Sequence, residues 1–247
     1  MNICAIIPAA GIGSRLGMCI PKILTPITQS ITIWSILREK LLGKVDHINV
    51  IISPKFRKQF IDIMQHDLDS GFVSLSLQPK PIGMGDAIFS GHSVWSIAKI
   101  IIVIWGDQIC VSNNTITRSL ALHAGKEKSI VLPLTKMAAP YVEYRFNPHQ
   151  KLIDVKQSRE GEACTPNGLS DVGTFVLSVD ALFPAWLRFI QHSIIGSQTN
   201  ELNFLPFLPY LASEGWHVEK IIVPYAIEAR GINTTEDLHF FRTLYYK

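Results

Sequence analysis

Short apolar runs alternate with helical stretches along the first half of the chain, and this alternation is the feature that most limits the fold. Residues 3–8, 47–53 and 99–105 are short, continuous apolar runs, typical of strands buried on both faces of a sheet. Between them, residues 32–42 have an apolar stripe at helical spacing, and Pro54 is suited to the first turn of another helix. Repeated strand–helix units favour a parallel sheet covered by helices. The sequence therefore predicts a doubly wound α/β fold with residues 99–105 at the sheet centre.

The pattern changes after residue 128, where shorter alternating runs predict further strands and two helices. The predicted strands are 129–134, 142–146, 151–155, 173–179 and 217–224, and the predicted helices are 180–191, 201–213 and a last one from about Thr235. No low-complexity linker divides the 247 residues. We expect one domain over 1–247. Its Rossmann-like core, with a mixed but mostly parallel sheet, would cover about 1–135 and 215–247, and a small β-rich lid about 136–214.

The amino-acid composition limits the kinds of partner that the protein is expected to bind. Lys and Arg number 23 and Asp and Glu 20, a formal charge of +3 without any block of like charge, so we expect a small anionic partner rather than nucleic acid. The apolar runs are shorter than the roughly 18–20 residues of a membrane-spanning helix. The first residues lack the basic and long apolar regions of a signal peptide, which predicts a cytoplasmic protein without a membrane partner.

The segment after the first run carries the strongest chemical signal. Small residues and glycines over 9–13 let backbone N–H groups approach a phosphate chain closely, and Arg15 and Lys22 add fixed positive charge. A dinucleotide-binding fingerprint needs a glycine where the chain has Leu16, and no Gly-Lys-Ser/Thr of a Walker A loop is present. The segment therefore predicts a phosphate site of another kind.

This segment resembles the signature of the sugar-1-phosphate nucleotidyltransferases, Ala-Ala-Gly-x-Gly-[ST]-Arg-[ML]-x4-Pro-Lys, which is matched at every position from Ala9 to Lys22. In that family the loop wraps a nucleoside triphosphate, and the arginine and lysine bind its phosphates. The resemblance implies that Arg15 and Lys22 are catalytic. It also implies nucleotide contacts from Ala9, Ala10, Gly11, Gly13 and Ser14.

A second block, residues 78–87, resembles the family's Gln-x4-Gly-Thr-x-x-Ala and is most similar to the uridylyltransferase domain of N-acetylglucosamine-1-phosphate uridylyltransferases. The resemblance implies that Gln78 reads the uracil edge and that Gly83 and Met84 lie against the base. Met84 replaces the threonine, which removes a hydroxyl contact. UTP is the expected nucleotide.

Two further blocks resemble the family's Mg²⁺ ligands. Gly106-Asp107 ends the predicted central strand, where ligands of open α/β sheets bind, and a carboxylate suits Mg²⁺. Gly231-Ile232-Asn233 resembles the family's Gly-[IV]-Asn. The resemblance implies that Asp107 and Asn233 hold the metal.

The acceptor half matches less well. Where the family has a glycine, a glutamate and an asparagine near the sugar, this chain has Tyr144, Lys156 and Asp171, and the charged loop 158–162 lies close in sequence. We expect acceptor contacts from Tyr144, Glu160 and Asp171. The expected acceptor is a sugar 1-phosphate or a similar phosphorylated small molecule.

The resemblance extends from residue 3 to about 240 and implies transfer of a nucleotide, UMP, from the triphosphate to that acceptor with release of pyrophosphate. Two alternatives stay open. One is a binding protein of the same fold without turnover. The other is a cytidylyltransferase acting on a phosphorylated polyol, since the first third also resembles 2-C-methyl-erythritol-4-phosphate cytidylyltransferase. No hexapeptide repeat is present, so a β-helix acetyltransferase domain is not expected. The sequence predicts no oligomeric state.

Overall fold

The computed structural model describes residues 1–11, 20–192 and 195–245. The strands of this part are β1 (Ile3–Pro8), β2 (His47–Ile52), β3 (Val73–Leu77), β4 (Ile100–Ile104), β5 (Ser129–Lys136), β6 (Val142–Phe146), β7 (Leu152–Gln157), β8 (Leu169–Asp171), β9 (Thr174–Ser178) and β10 (His217–Ile222). Its helices are α1 (Ile33–Leu41), α2 (Arg57–Asp69), α3 (Met84–Ser90), α4 (His92–Trp95), α5 (Asn113–His123), α6 (Leu182–His192), α7 (Phe207–Ser213) and α8 (Thr235–Tyr245).

The main sheet has eight strands. Seven of them lie in the order β10-β5-β9-β4-β1-β2-β3, and β8 pairs with β5 outside this path. Strands β1 to β4 run parallel, as do β5 and β10, whereas β9 is antiparallel to both β4 and β5. The predicted mixed, mostly parallel sheet is therefore confirmed, with β4 in the middle of the order.

The chain order reverses beside β1. Strand β2 pairs with one edge of β1 and β4 pairs with the other, so the connections after β1 and β4 diverge to opposite sides. In open α/β sheets such a switch point leaves a crevice beyond the carboxyl ends of the two strands. The fold thus brings the segments after β1 and β4 to one crevice.

Apolar residues cover both faces of the sheet, as β4 illustrates. Ile100, Ile102 and Ile104 belong to one buried cluster, while Ile101 and Val103 face the other. Because side chains alternate along a strand, a strand covered on both faces has no polar positions. This burial explains the continuous apolar run in the sequence. No helix within the described ranges is long and apolar enough to cross a membrane.

The last helix begins where its sequence predicts. The backbone N–H of Asp237 donates to Thr234 Oγ1 at 3.2 Å, and the backbone N–H of Thr234 donates to Asp237 Oδ2 at 3.0 Å. This reciprocal pair satisfies two N–H groups that a helix N-terminus leaves without intrahelical partners. The cap also fixes the direction of the preceding loop, which contains Asn233.

The helix predicted over 201–213 is shorter than expected, because α7 starts only at Phe207. The backbone of Leu202 is engaged elsewhere: its N–H donates to Ile82 O, and its carbonyl accepts from the N–H of Gly85. Pro206 also disfavours helical geometry at the residue before it. Residues 201–206 therefore form an irregular segment beside α3.

The range 136–214 contributes to two sheets. Strands β6 and β7 pair with each other in a separate two-stranded sheet. Strands β8 and β9, from the same range, belong to the main sheet. The division of the chain into a core and a lid stays a prediction.

Candidate active site

A cavity of about 410 Å³ opens at the carboxyl ends of β1, β3 and β4. Its size is within the range usual for small-molecule sites. The predicted site residues that line it are Ala9, Ala10, Gly11, Lys22, Gln78, Gly83, Met84, Asp107 and Asn233. Gly13, Ser14 and Arg15 lie outside the described residues.

Lys22 contacts two segments of the cavity lining that are distant in sequence. Its Nζ lies 2.9 Å from Asp107 Oδ2 and 3.1 Å from Asn233 Oδ1. The buried side chains of Ile23 and Leu24 anchor the short 3₁₀ turn that begins at Lys22. The Lys22 ammonium group and two side-chain oxygens therefore lie close together.

The loop that carries Asn233 packs directly on Asp107. The backbone N–H of Ile232 donates to the carbonyl of Asp107 at 3.2 Å. A side chain at Gly231 would place its Cβ only 3.1 Å from Asp107 Cγ, so glycine permits this approach. The contact holds Asp107 and Asn233 side by side, although they are far apart in sequence.

The two oxygens fit a divalent cation. Asp107 Oδ2 and Asn233 Oδ1 both lie within 3.1 Å of the Lys22 ammonium, which shows that they can share one positive charge. Mg²⁺ is commonly held by one or two protein oxygens together with waters and substrate phosphates. In the described part of the chain, no group of three or more His, Cys, Asp or Glu side chains could hold a metal by itself. Any ion here would therefore complete its coordination with water and substrate.

Gln78 also lines the cavity and is buried directly after β3. Its Nε2 donates to Gly83 O at 3.0 Å and to Asp86 Oδ2 at 2.8 Å. Both partners are pure acceptors, so the amide nitrogen must face them. The side-chain oxygen Oε1 is left as the group that can pair with a ligand.

Gly83 makes a close contact with the irregular segment before α7. It has φ +133, and a Cβ there would lie 2.4 Å from Leu202 O. Any side chain would collide with that backbone. Segment 82–85 and Leu202 are thus clamped together, and the clamp brings Glu201 to the cavity wall.

The structure does not bring the predicted acceptor residues Tyr144 and Asp171 into the cavity lining. Both are buried, and Tyr144 donates its hydroxyl to Asp171 Oδ2 at 3.1 Å. Burial raises the pKa of the Asp171 carboxyl, and burial followed by the Asp171 charge raises that of the Tyr144 hydroxyl. Asp171 also accepts from the N–H of Gly173 at 2.7 Å. The two side chains therefore form their hydrogen bonds within the protein.

Glu160, the third predicted acceptor residue, is also absent from the lining and anchors loop 196–203. Its carboxylate accepts bonds from the N–H groups of Gln198 and Thr199, from Thr199 Oγ1 at 2.6 Å and from Asn203 Nδ2 at 2.9 Å. Burial opposes ionisation, but these hydrogen bonds outweigh it and lower the pKa of Glu160 to about 2. Glu160 thus holds the loop rather than a ligand.

We expect Glu160→Gln to lower the free energy of unfolding at pH 7 by about 2 kcal/mol, the scale of a lost bond to a buried charge. Because the folded state keeps this carboxylate ionised down to a pH of about 2, whereas an ordinary glutamate protonates near 4.5, its contribution is present above pH 4.5 and lost as the pH falls toward 2. Urea unfolding at pH 7 and pH 2.5 should show the difference between wild type and variant shrinking.

The control for this prediction is Glu214→Gln, which changes an exposed glutamate paired with Arg188. It should change the free energy of unfolding little at either pH. A wild-type-minus-variant difference for Glu160→Gln that is the same at pH 7 and pH 2.5 would contradict the assigned ionisation.

Two charged residues that the sequence did not assign to the site line the cavity. Arg159 Nη2 lies 3.2 Å from Glu201 Oε2, and Arg159 also donates to Asn203 Oδ1. Arg159 belongs to the charged loop 158–162, which lies close in sequence to the expected acceptor positions, so its role is partly predictable. Nothing in the sequence indicates that Glu201 lines the cavity, because the pattern predicts a helix beginning there.

Comparisons with known proteins find relatives that cover most of the chain. No protein-family model matches the chain. It is 23% identical over 246 residues to the bifunctional protein GlmU of Aquifex aeolicus, covering 95% of this chain and 51% of that protein. It is 26% identical over 243 residues to GlmU of Clostridium perfringens, covering 96% of this chain and 51% of that protein.

These relatives support the resemblance of the chain to the sugar-1-phosphate nucleotidyltransferases. The chain spans about half the length of the curated GlmU relatives that it matches.

Solved structures show the same fold. A protein described as a glucose-1-phosphate thymidylyltransferase from Bacillus anthracis has a TM-score of 0.76 at 16% identity, covering 98% of this chain and 95% of that one. The 4-diphosphocytidyl-2C-methyl-D-erythritol synthase from Anaerococcus prevotii has a TM-score of 0.68 at 15% identity, covering 100% of this chain and 96% of that one. At this identity the likeness is one of fold alone.

Proposed function

We propose that the chain transfers UMP from UTP to a sugar 1-phosphate or similar phosphorylated acceptor and releases pyrophosphate. The observation that carries the proposal is the convergence of Lys22, Asp107 and Asn233 in one cavity that Gln78 also lines. A cation and oxygen ligands at the crevice of a doubly wound sheet suit a nucleotide triphosphate. We also propose that the core holds the nucleotide and that the range 136–214 completes the acceptor side.

In this reaction an oxygen of the acceptor phosphate attacks the α-phosphorus of UTP, and the bond from that phosphorus to the bridging oxygen of pyrophosphate breaks. The attacking phosphate is already anionic near neutral pH, so no general base is needed. Lys22 neutralises the phosphates and the charge that develops during transfer, while the cavity aligns the two reactants. Asp107 and Asn233 would hold Mg²⁺, which supplies additional charge neutralisation when bound.

The orientation of Gln78 supports a base with a donor at ring position 3. Its Nε2 is committed to Gly83 O and Asp86 Oδ2, which presents Oε1 to a ligand as an acceptor. Uracil can donate its N3–H to such an acceptor, whereas the ring N3 of cytosine is unprotonated and only its exocyclic N4 amino group can donate. The arrangement therefore supports UTP over CTP.

Asp86→Ala should reduce the preference for UTP over CTP about five- to tenfold, the scale of one hydrogen bond. Without the carboxylate, the Gln78 amide loses one of the two acceptors that fix its orientation. The measurement is kcat/KM for both nucleotides. Asp69→Ala is a matched control, since Asp69 accepts from Gln65 Nε2 at 2.7 Å on the exposed face of α2. An unchanged preference in Asp86→Ala would show that Asp86 does not set the selectivity.

The decisive test of the proposed function is pyrophosphate release over a matrix of nucleotides and acceptors. UTP with a phosphorylated acceptor should give the highest rate. Nucleotide binding by calorimetry without any pyrophosphate release would instead indicate a binding protein. A highest rate with CTP and a phosphorylated polyol would indicate a cytidylyltransferase.

A further inference from the structure

The positions where the family holds sugar hydroxyls do not supply charge to this cavity. Lys156, which stands at the family's glutamate, pairs with Asp154 at 3.1 Å and Glu162 at 3.0 Å. Tyr144 and Asp171 are bonded to each other inside the protein. These positions therefore offer the cavity no free carboxylate.

Arg159 and Glu201 bring charge to the cavity instead. The lining residues that carry full charge in the described part form two pairs, Lys22 with Asp107 and Arg159 with Glu201. The proposed function already uses the first pair for the nucleotide phosphates and the metal. The second pair is about two-fifths exposed, with 38% of the Arg159 side chain and 36% of the Glu201 side chain accessible. A ligand can therefore reach both charges.

The pair is built into the fold rather than placed by chance on the surface. Arg159 is held by Asn203, and Asn203 in turn donates to the buried carboxylate of Glu160. Glu201 is fixed by its neighbour Leu202, whose backbone is clamped to Ile82 and Gly85. Both charged groups are thus positioned by buried contacts.

A phosphorylated acceptor brings an anion into this cavity. An anion that pairs with Arg159 lies close to the Glu201 carboxylate, since Glu201 Oε2 is 3.2 Å from Arg159 Nη2. Two negative charges held this close repel each other unless the ligand also brings a positive charge. Trp105 lines the same cavity, and the face of an aromatic ring can also attract an ammonium group.

We propose that Glu201, together with Arg159, makes the acceptor site select a phosphomonoester that carries a positively charged amino group. This inference rests on the proposed nucleotidyl transfer and names its acceptor class. The phosphate pairs with Arg159 and the ammonium pairs with Glu201. The chemistry is unchanged: the acceptor phosphate oxygen attacks the α-phosphorus, and pyrophosphate leaves.

The test compares acceptors that differ in the amino group. Glucosamine 1-phosphate is compared with glucose 1-phosphate, and phosphoethanolamine with 2-hydroxyethyl phosphate, by pyrophosphate release from UTP at pH 7. In at least one pair the amino compound should have a kcat/KM higher by about tenfold or more, the scale of one added ion pair. Equal or higher values for the neutral member of both pairs overturn the proposal.

Glu201→Gln should bring the ratio within that pair close to one, because the amino member loses the carboxylate that pairs with its ammonium group. Glu214→Gln is the matched control, since Glu214 lies 3.4 Å from Arg188 Nη2 outside the cavity lining and its loss should leave the ratio unchanged. Thermal unfolding verifies that both variants fold. A ratio retained in Glu201→Gln contradicts the role of Glu201.

Calorimetry separates failure of this inference from failure of the proposed function. If wild type releases no pyrophosphate with any acceptor, nucleotidyl transfer is wrong. Tighter equilibrium binding of the amino member in the presence of UTP, weakened about tenfold by Glu201→Gln, would still support the charge-selective site. Equal binding of both members would overturn it.

Discussion

Replacing Lys22 by alanine should lower the rate of pyrophosphate release about 10²–10³-fold, the cost commonly seen when one preorganised charge contact is removed from a transition state. Lys22 Nζ is the group that meets both Asp107 and Asn233, so its loss removes the positive charge at the point where the phosphates are expected. The Lys22–Asp107 pair is partly exposed, and such pairs contribute little to stability. The variant should therefore fold normally and bind UTP while kcat falls.

Lys126→Ala is the control for Lys22→Ala. Lys126 also forms an ion pair, with Glu219 Oε1 at 3.6 Å, but it lies outside the cavity lining. Steady-state kinetics of both variants, with thermal unfolding to verify folding, separate a general charge effect from a site effect. A Lys22→Ala variant that turns over at the wild-type rate would remove Lys22 from the mechanism.

The sequence predicts much of the part of the cavity around Lys22, because the signals for it are local. Strands β1 and β4 are apolar along their whole length since both sheet faces are covered, and parallel pairing brings their ends together. Lys22, Asp107 and Asn233 each lie within a short motif. Topology brings the segments after β1 and β4 to one crevice, and the contact of Ile232 with Asp107 adds the loop of Asn233.

The acceptor end could not be predicted in the same way, because tertiary contacts determine it. Glu201 reaches the cavity since Leu202 pairs with Ile82 and Gly85, more than a hundred residues earlier in the chain. Glu160 has the charge expected of a ligand contact, yet loop 196–203 uses its carboxylate. Nothing in the local pattern distinguishes a carboxylate that binds substrate from one that holds a loop.

Asp107→Asn should also lower turnover about 10²–10³-fold. The substitution keeps the size of the side chain and removes the charge that, with Asn233, faces the Lys22 ammonium. We further expect the variant to need more Mg²⁺ for half-maximal rate and to bind UTP with a weaker dependence on Mg²⁺, which calorimetry measures without turnover. A rate and a Mg²⁺ dependence equal to those of wild type would exclude Asp107 as a metal ligand.

Asp67→Asn is the control for this variant. Asp67 Oδ1 lies 2.6 Å from Arg38 Nε, and Asp67 is outside the cavity lining. Since Asp67 is buried, its loss should lower stability while kcat stays near that of wild type. The comparison shows whether loss of turnover in Asp107→Asn follows from the site or from weakened folding.

The double variant Lys22→Ala/Asp107→Asn tests whether the two residues act as a unit. Residues that stabilise the same transition state are strongly non-additive, because the first substitution already removes most of what the second could remove. If Lys22 and the ion held by Asp107 neutralise the same phosphates, the double variant should be about as slow as the slower single variant. Rates that fall by the full product of the two single effects would show independent roles and would contradict a shared phosphate site at the carboxyl end of β4.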